Sequence, residues 1–462
     1  MGNSNSPVLM LELNELCPPI VERMMAAGEL PNFTALHRKS EAYTTYTDEE
    51  SLEPWVQWVT LHTGQTETVH GAKELDEGHL VSTERFWDTL AKHDFSSIIF
   101  GSMNGNTEQS DKVFLLPDPW SAGVEATDPS YKSLHDFIRH QVTEHTNPDA
   151  KPGLNDLVKF LTFLVSHGLK LSTISSIVKQ LAEEKIGDRD LHWRRSIILD
   201  TLMWDVFESA YKKQRPDFAT FFANSTAFIQ HRYWRHMEPE AYEVKPSEAH
   251  MKSYGSAVED SYREMDKIVG RAMKLVGPNG RIVFSTALSQ EANTRYEHIG
   301  GKFVHRPKNF ENLFEWLGAP APVSFEPVMT HEAWATYDTS EEAEAAARAM
   351  ENIQSNGKSI MHWKRDNNRL FFCSGLISEV EPDFEVRHGE TGETIKFDKL
   401  FMPIGQVNNS KHNRNGCFWV PAGTDGPKVH DGTLPLEQAT DKILSLFGLE
   451  RVEHAPSLEL AS

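Results

Sequence analysis

Cysteine is scarce: Cys17, Cys373 and Cys417 are the only three in 462 residues, and they lie far apart. With no CxxC pair, the sequence excludes a disulfide framework and a cysteine-built zinc site, and fits a reducing compartment. Long apolar runs are also missing. No segment approaches the roughly 18 consecutive apolar residues of a membrane helix, so no transmembrane segment is expected. The start has no basic stretch followed by an apolar one, the pattern of a secretory leader, and the sequence predicts a cytoplasmic protein. The opening MGNSNS does fit the myristoylation pattern at Gly2. Positive charge is in deficit, with 46 Lys and Arg against 67 Asp and Glu and a formal net charge of −21. That argues against a nucleic-acid partner, because neutralising phosphates needs clustered cations. A small anionic substrate stays compatible, since a pocket can be locally positive on an acidic protein.

What is present is core-forming: 39% apolar and 10% aromatic residues, enough for a large α/β domain with insertions. PVLMLEL reads as a buried parallel strand. The helix that follows, PPIVERMMAAGEL, has prolines suited to a first turn. EPWVQWVTLHTG predicts a second helix stopped by Gly64, and SSIIFGS and KVFLLP further strands. From about Trp120 to Arg215 the pattern turns helical, as in LNDLVKFLTFLVSHGLKL. DFATFFAN and RIVFST resume the strands, with a helix through SYREMDKIVGRAMKLVG between them. HEAWATYD, SEEAEAAARAMENI, KSIMHWKR and RLFFCSGL form a different, α+β stretch. Strands alternating with helices imply a mostly parallel sheet covered on both faces. The expected organisation is an α/β core over residues 1–119, 216–295 and 406–462. It is interrupted by a helical insertion over 120–215 and a cap-like α+β insertion over 296–405.

Four stretches carry a family resemblance: VLMLELNELCPPIVERMMAAGELPNFTAL, PWVQWVTLHTGQTETVHG, PDFATFFANSTAFIQHRYWRHMEP and HNRNGCFWVPAGTDG with the closing helix LEQATDKILSLFGL. In order and spacing the chain resembles the alkaline phosphatase-like superfamily, in particular its type I phosphodiesterase and nucleotide pyrophosphatase branch. The resemblance implies a three-layer α/β/α sandwich. It also implies two metals held by three Asp and three His, with a nucleophile between them, the arrangement that clamps both oxygens of an in-line displacement. Carried over residue by residue, that set is broken. The first Asp falls on Asn14, the nucleophile on Pro54 and the second Asp on Ala227. The later Asp–His pair falls on Thr286 and Ala287, within Ser285-Thr286-Ala287-Leu288. His231 and His412 are kept. Ala and Pro offer no ligand or nucleophile, and Asn and Thr cannot offset divalent charge as carboxylates do. A two-metal site is not expected.

The surviving histidines predict one divalent metal, zinc or similar, held by His231, His412 and a third protein ligand. Glu12, at the tip of an apolar strand, or Glu291 would supply it; alternatively both histidines are hydrogen-bonded pocket residues. Glu12 and Glu15 flank Asn14 at the strand end, where open α/β sheets place ligands. The candidate catalytic residues are Ser51, Glu12, Asn14 and Thr286. Ser51 reads either as a displaced nucleophile or as the cap of the following helix. Arg232, Trp58 and Glu53 are the candidate substrate contacts, although QHRYWRH can also be a packed helix face. Glu53 and its neighbours Asp48, Glu49 and Glu50 are either solvated surface or pocket bases. Three functions follow: a hydrolase or transferase of a phosphate- or sulfate-ester-like small molecule with a rebuilt site, a metal-free acid–base enzyme, or a non-catalytic binding relative.

Overall fold

A computed structural model describes residues 6–121, 123–143, 153–299, 301–328, 331–407 and 409–451; Gly2 lies outside them. The central sheet has eight strands. Their order across the sheet is Lys428–Pro435, Ser40–Tyr46, Asn415–Pro421, Arg281–Ser285, Val8–Leu13, Phe218–Ala223, Ser97–Phe100 and Val113–Leu116. Every neighbouring pair is parallel except those made by Asn415–Pro421, which runs antiparallel to both its partners. Strand Val8–Leu13 sits at the centre, is buried at every residue, and pairs with Phe218–Ala223 on one side and Arg281–Ser285 on the other.

The period of two along that strand builds both halves of the core. Leu9, Leu11 and Leu13 pack beneath Phe207, Ile229, Tyr262 and Met265 from the helices of one face. Val8 and Met10 pack against Trp58, Leu61, Trp87 and Ile443 on the other. Helices on both faces of a mostly parallel sheet give the alkaline phosphatase-like sandwich. Helix Pro54–Thr63 begins with proline at its first position and ends at Gly64, whose φ of 65° closes it. The long helical stretch after residue 153 divides into Leu154–Ser166 and Leu171–Ile186, because Gly168 turns the chain at φ +100°.

Between the sixth core strand and the closing part lies a separate apolar cluster with two four-stranded antiparallel sheets. Its helix Ser340–Ala349 starts in a capping box, Thr339 with Glu342.

Alternation also fixes Glu12. It shares a face with Val8 and Met10, so its carboxylate points into the layer under helix Pro54–Thr63. There His62 Nε2 lies 2.9 Å from its Oε1, and the Ser102 hydroxyl donates to its Oε2 at 2.6 Å. Both members of the pair are fully buried. Removing one partner of such a pair leaves an uncompensated polar or charged group, at a cost of about 3–5 kcal/mol. Glu12→Ala is therefore expected to lower the unfolding free energy by that amount in a denaturant titration; a loss below about 1 kcal/mol would show that the pair is not a structural anchor.

Candidate active site

The carboxyl end of the central strand opens into a cluster of two carboxylates and two imidazoles. Glu15, just past the strand, is 2% exposed and has a φ of 60°, a left-handed conformation unusual for a side-chain-bearing residue. Beyond the adjacent strand Arg281–Ser285, Ala287 has a φ of 55°, and the Glu15 amide donates to the Thr286 carbonyl at 3.3 Å. Two strained residues side by side mark this end of the sheet as built for something other than stability.

Glu15 Oε2 lies 3.4 Å from His231 Nε2 and 3.4 Å from His412 Nε2. His231 comes from helix Ser225–Met237, and His412 from strand Ser410–Asn413, which pairs with Ser289–Ala292. Two amides complete the carboxylate's surroundings. Asn14 Nδ2 donates to Oε1 at 2.9 Å, and Gln290 Nε2 donates to Oε2. Asn14 is itself fixed by Trp58 Nε1, which donates to its Oδ1 at 2.8 Å, and by Asn224 Oδ1, which accepts from its Nδ2 at 2.8 Å. Gln290 accepts from Ser410, whose Oγ is 3.4 Å from His231 Nδ1.

The charges follow from this packing. Burial penalises the Glu15 carboxylate, yet His412 beside it, the hydrogen bond from His231 and the Gln290 amide hold its pKa at about 2. His231 is driven below its ordinary value by burial, but the bond and charge of Glu15 reverse this and raise it. His412 stays lowered, since burial and the charge of His231 outweigh Glu15. The two imidazoles beside this one carboxylate thus shift in opposite directions. Glu53 precedes helix Pro54–Thr63 and lies 3.7 Å from His412 Nδ1 through its Oε2. Burial and the negative charge of Glu15 push its pKa up to about 7.

The donors of Glu15, His231 and His412 all lie within 4.8 Å of one another. Two imidazoles and a carboxylate with open positions beyond them are the donor set of a single-ion site, and the 3.4 Å carboxylate-to-imidazole spacing is close to the edge of a tetrahedron with bonds of about 2.0–2.1 Å. Among the described residues no other group of three such side chains comes together.

Several sequence expectations are corrected here. The third member is Glu15, not Glu12, which faces the opposite layer. Nor is it Glu291: Gln290 stands opposite His412 in the ladder, so alternation turns Glu291 away to Lys411 at 2.9 Å and Asn413. Thr286 is fully buried and its hydroxyl accepts from the Cys417 amide at 2.9 Å, leaving it no reach into the cluster. Asn14 supports Glu15 rather than facing outward. Trp58 is fully buried and cannot touch a substrate without unpacking the core. Ser51 is not the helix cap, because the helix begins one residue after Glu53; its carbonyl accepts from Gln57 at 2.8 Å. Arg232 directs its guanidinium to the Ile404 carbonyl at 3.3 Å, near rather than within the cluster. Glu49 binds Gln57, Thr60 and the Glu67 amide, an anchor for the loop and not a pocket base. Glu15 had been visible only as a carboxylate at the strand end; Gln290 carried no sequence signal.

The fold defines the class as alkaline phosphatase-like. The chain matches the type I phosphodiesterase / nucleotide pyrophosphatase family over residues 22–289, more than half its length, and it belongs to that family, whose members are hydrolases of phosphorus esters. The match includes His231 but neither Glu15 nor His412. No curated protein sequence matches the chain. Among solved structures, phosphonoacetate hydrolase from Sinorhizobium meliloti 1021 in complex with phosphonoacetate is similar at 11% identity and a TM-score of 0.45, over 94% of each chain. Murine ectonucleotide pyrophosphatase / phosphodiesterase 5 is similar at 10% identity and a TM-score of 0.38, over 98% of this chain and 97% of that one. Among the described residues no helix is long and apolar enough to cross a membrane.

The helix bearing His231 starts against Asp200, a buried carboxylate that accepts from the Ser225 amide at 3.1 Å. Burial raises its pKa from 3.8 to about 6 despite that bond. A raised carboxylate pKa contributes stability below the unfolded value and loses it as pH climbs through the folded one. Asp200→Asn keeps an acceptor but cannot ionise. Relative to wild type it is expected to gain stability between about pH 4 and pH 6, by up to about 3 kcal/mol, read as the difference in melting temperature across a pH series. A constant difference across that range would contradict the assignment.

Proposed function

We propose that this chain is a hydrolase of a small phosphate- or sulfate-ester-like anion, working through one divalent ion held by Glu15, His231 and His412. The observation that carries the reading is the convergence of those three side chains from separate elements onto one point, with Glu53 beside them. Among the described residues no second group of three ligands comes together, Ala227 and Ala287 offer none, and Thr286 and Asn14 are committed elsewhere. When bound, the ion would supply Lewis-acid stabilisation of the developing charge and an activated water.

The chain's own residues do the rest. The Gln290 and Asn14 amides fix the carboxylate of Glu15 so that it meets both imidazoles. Ser410, bonded to Gln290 and 3.4 Å from His231 Nδ1, favours the proton on Nδ1 and leaves Nε2 directed at the cluster. A backbone hydrogen bond at Leu52 helps to hold His412. Glu53, with a pKa near neutrality, takes a proton on Oε2 from the attacking water and can return one to the leaving oxygen. The positive end of helix Pro54–Thr63 favours an anion in front of it. The helical and α+β insertions wall the pocket, the second one tied to the core where Lys364 meets Glu74 at 3.2 Å.

A metal-free variant of this chemistry is favoured by one observation, the direct approach of His231 Nε2 to the Glu15 carboxylate at 3.4 Å. Metal content separates the two. Elemental analysis of untagged protein should give about one equivalent of divalent metal, and none in the His231→Ala, His412→Ala double variant. Turnover of a panel of phosphate and sulfate esters should stop with chelator. Glu53→Gln should keep the metal while turnover falls by about 10²–10⁴-fold. Wild-type protein that binds no metal after incubation with zinc, manganese or iron would end the one-metal reading.

A further inference from the structure

Helix Leu171–Ile186 is inverted. Its buried residues are Thr173 and Gln180, which are satisfied inside by Asp205 at 2.5 Å and by the Leu191 carbonyl at 2.7 Å. Its outward stripe is Leu171, Ile174, Val178 and Leu181, spaced three, four and three residues apart, all exposed. The preceding helix, Leu154–Ser166, buries Phe160, Phe163 and Leu164 and still exposes a second stripe at Leu154, Val158, Leu161 and Val165. At the turn between the helices Val165 is 73% and Leu171 84% exposed. Amphipathic helices at the surface put such stripes inward. Here Thr173 and Gln180 face the protein beside Ile177, and the other large aliphatic side chains of the second helix face water.

We infer that helices Leu154–Ser166 and Leu171–Ile186 carry the self-association surface of the chain, each copy burying their aliphatic stripes against those of a second copy. Summed over the two helices, eight exposed large aliphatic side chains present on the order of 800 Å² per copy, the share of one partner in a standard interface. Charge selects the partner. Residues 154–186 contain four Lys against one Asp and two Glu, a net +1 on a chain of −21. Asp156 with Lys159 and Lys179 with Glu183 are paired on the helices themselves. A near-neutral apolar patch is where two strongly acidic molecules can meet without repulsion. An anionic bilayer would instead be repelled by the rest of the chain, and the hairpin lacks the Lys and Arg excess of membrane-surface helices. The adjoining segment 144–152, EHTNPDAKP, has no large aliphatic side chain with which to cover the stripes. Isologous pairing of helical hairpins also closes as a dimer without forming filaments.

The test is the mass of the full chain in solution, by sedimentation velocity over a hundredfold concentration range. Wild type should run at twice 52.4 kDa at the upper concentrations. The Val165→Lys, Leu171→Lys double variant should run at the single mass with an unchanged far-UV spectrum. Val323→Lys, an exposed apolar position on another part of the surface, should leave the wild-type mass unchanged. Hydrogen exchange on wild type should show residues 154–186 slowing as concentration rises. Wild type that stays monomeric throughout overturns the inference, whether or not it sediments with anionic vesicles. A dimer that survives the double variant, or one whose protection falls outside 154–186, overturns it as well.

Discussion

Glu15 is a carboxylate taken almost wholly out of water at the end of the central strand, and the organisation around it follows from the need to compensate it. A buried charge of this kind costs several kcal/mol unless it is paired and hydrogen-bonded. Two imidazoles and two side-chain amides meet that need, and they come from four different stretches of chain: Asn14, His231, Gln290 and His412. Their supports extend further, through Trp58, Asn224 and Ser410. Fixing one carboxylate therefore fixes the relative positions of the central strand, the helix bearing His231 and the short ladder bearing His412.

The same arrangement concentrates the charge at this end of the sheet in Glu15, with Glu53 nearby, while Asn14, Ala227, Thr286 and Ala287 carry none. The left-handed backbone at Ala287 persists although its side chain has nothing to bind. The turn is held by the Thr286 amide to the Cys417 carbonyl and by the Cys417 amide to the Thr286 hydroxyl.

The surface of the helical insertion obeys a different constraint. Its inward positions include Thr173 and Gln180, bonded to Asp205 and the Leu191 carbonyl, while Leu171, Ile174, Val178 and Leu181 stand exposed among the described residues. Burial elsewhere in the chain is ordinary, with aromatic and aliphatic residues filling both faces of the sheet. The contrast between those faces and this hairpin distinguishes a core from an interface.

Much of the fold was legible in one dimension, because strand and helix periods, prolines at helix starts and Gly64 at a helix end are local properties of the chain. So was the choice of His231 and His412 as candidate site residues, which depends on which residue occupies a position in a pattern. The identity of the third member was not. Glu12, Glu15 and Glu291 are all carboxylates near strand ends, and only the pairing of strands decides which faces of the sheet they take. Glu12 shares the face of Met10 and meets His62. Glu291 alternates away from Gln290 and meets Lys411. Glu15, beyond the last paired residue, is released from the alternation and turns toward both histidines. The inverted helix was hidden for the same reason: a helical period shows that a stripe exists, but what lies against it is settled by packing alone. Sequence determined which elements form and which side chains can act as ligands; tertiary structure decided which of those groups meet, because facing is a property of neighbours and not of the chain.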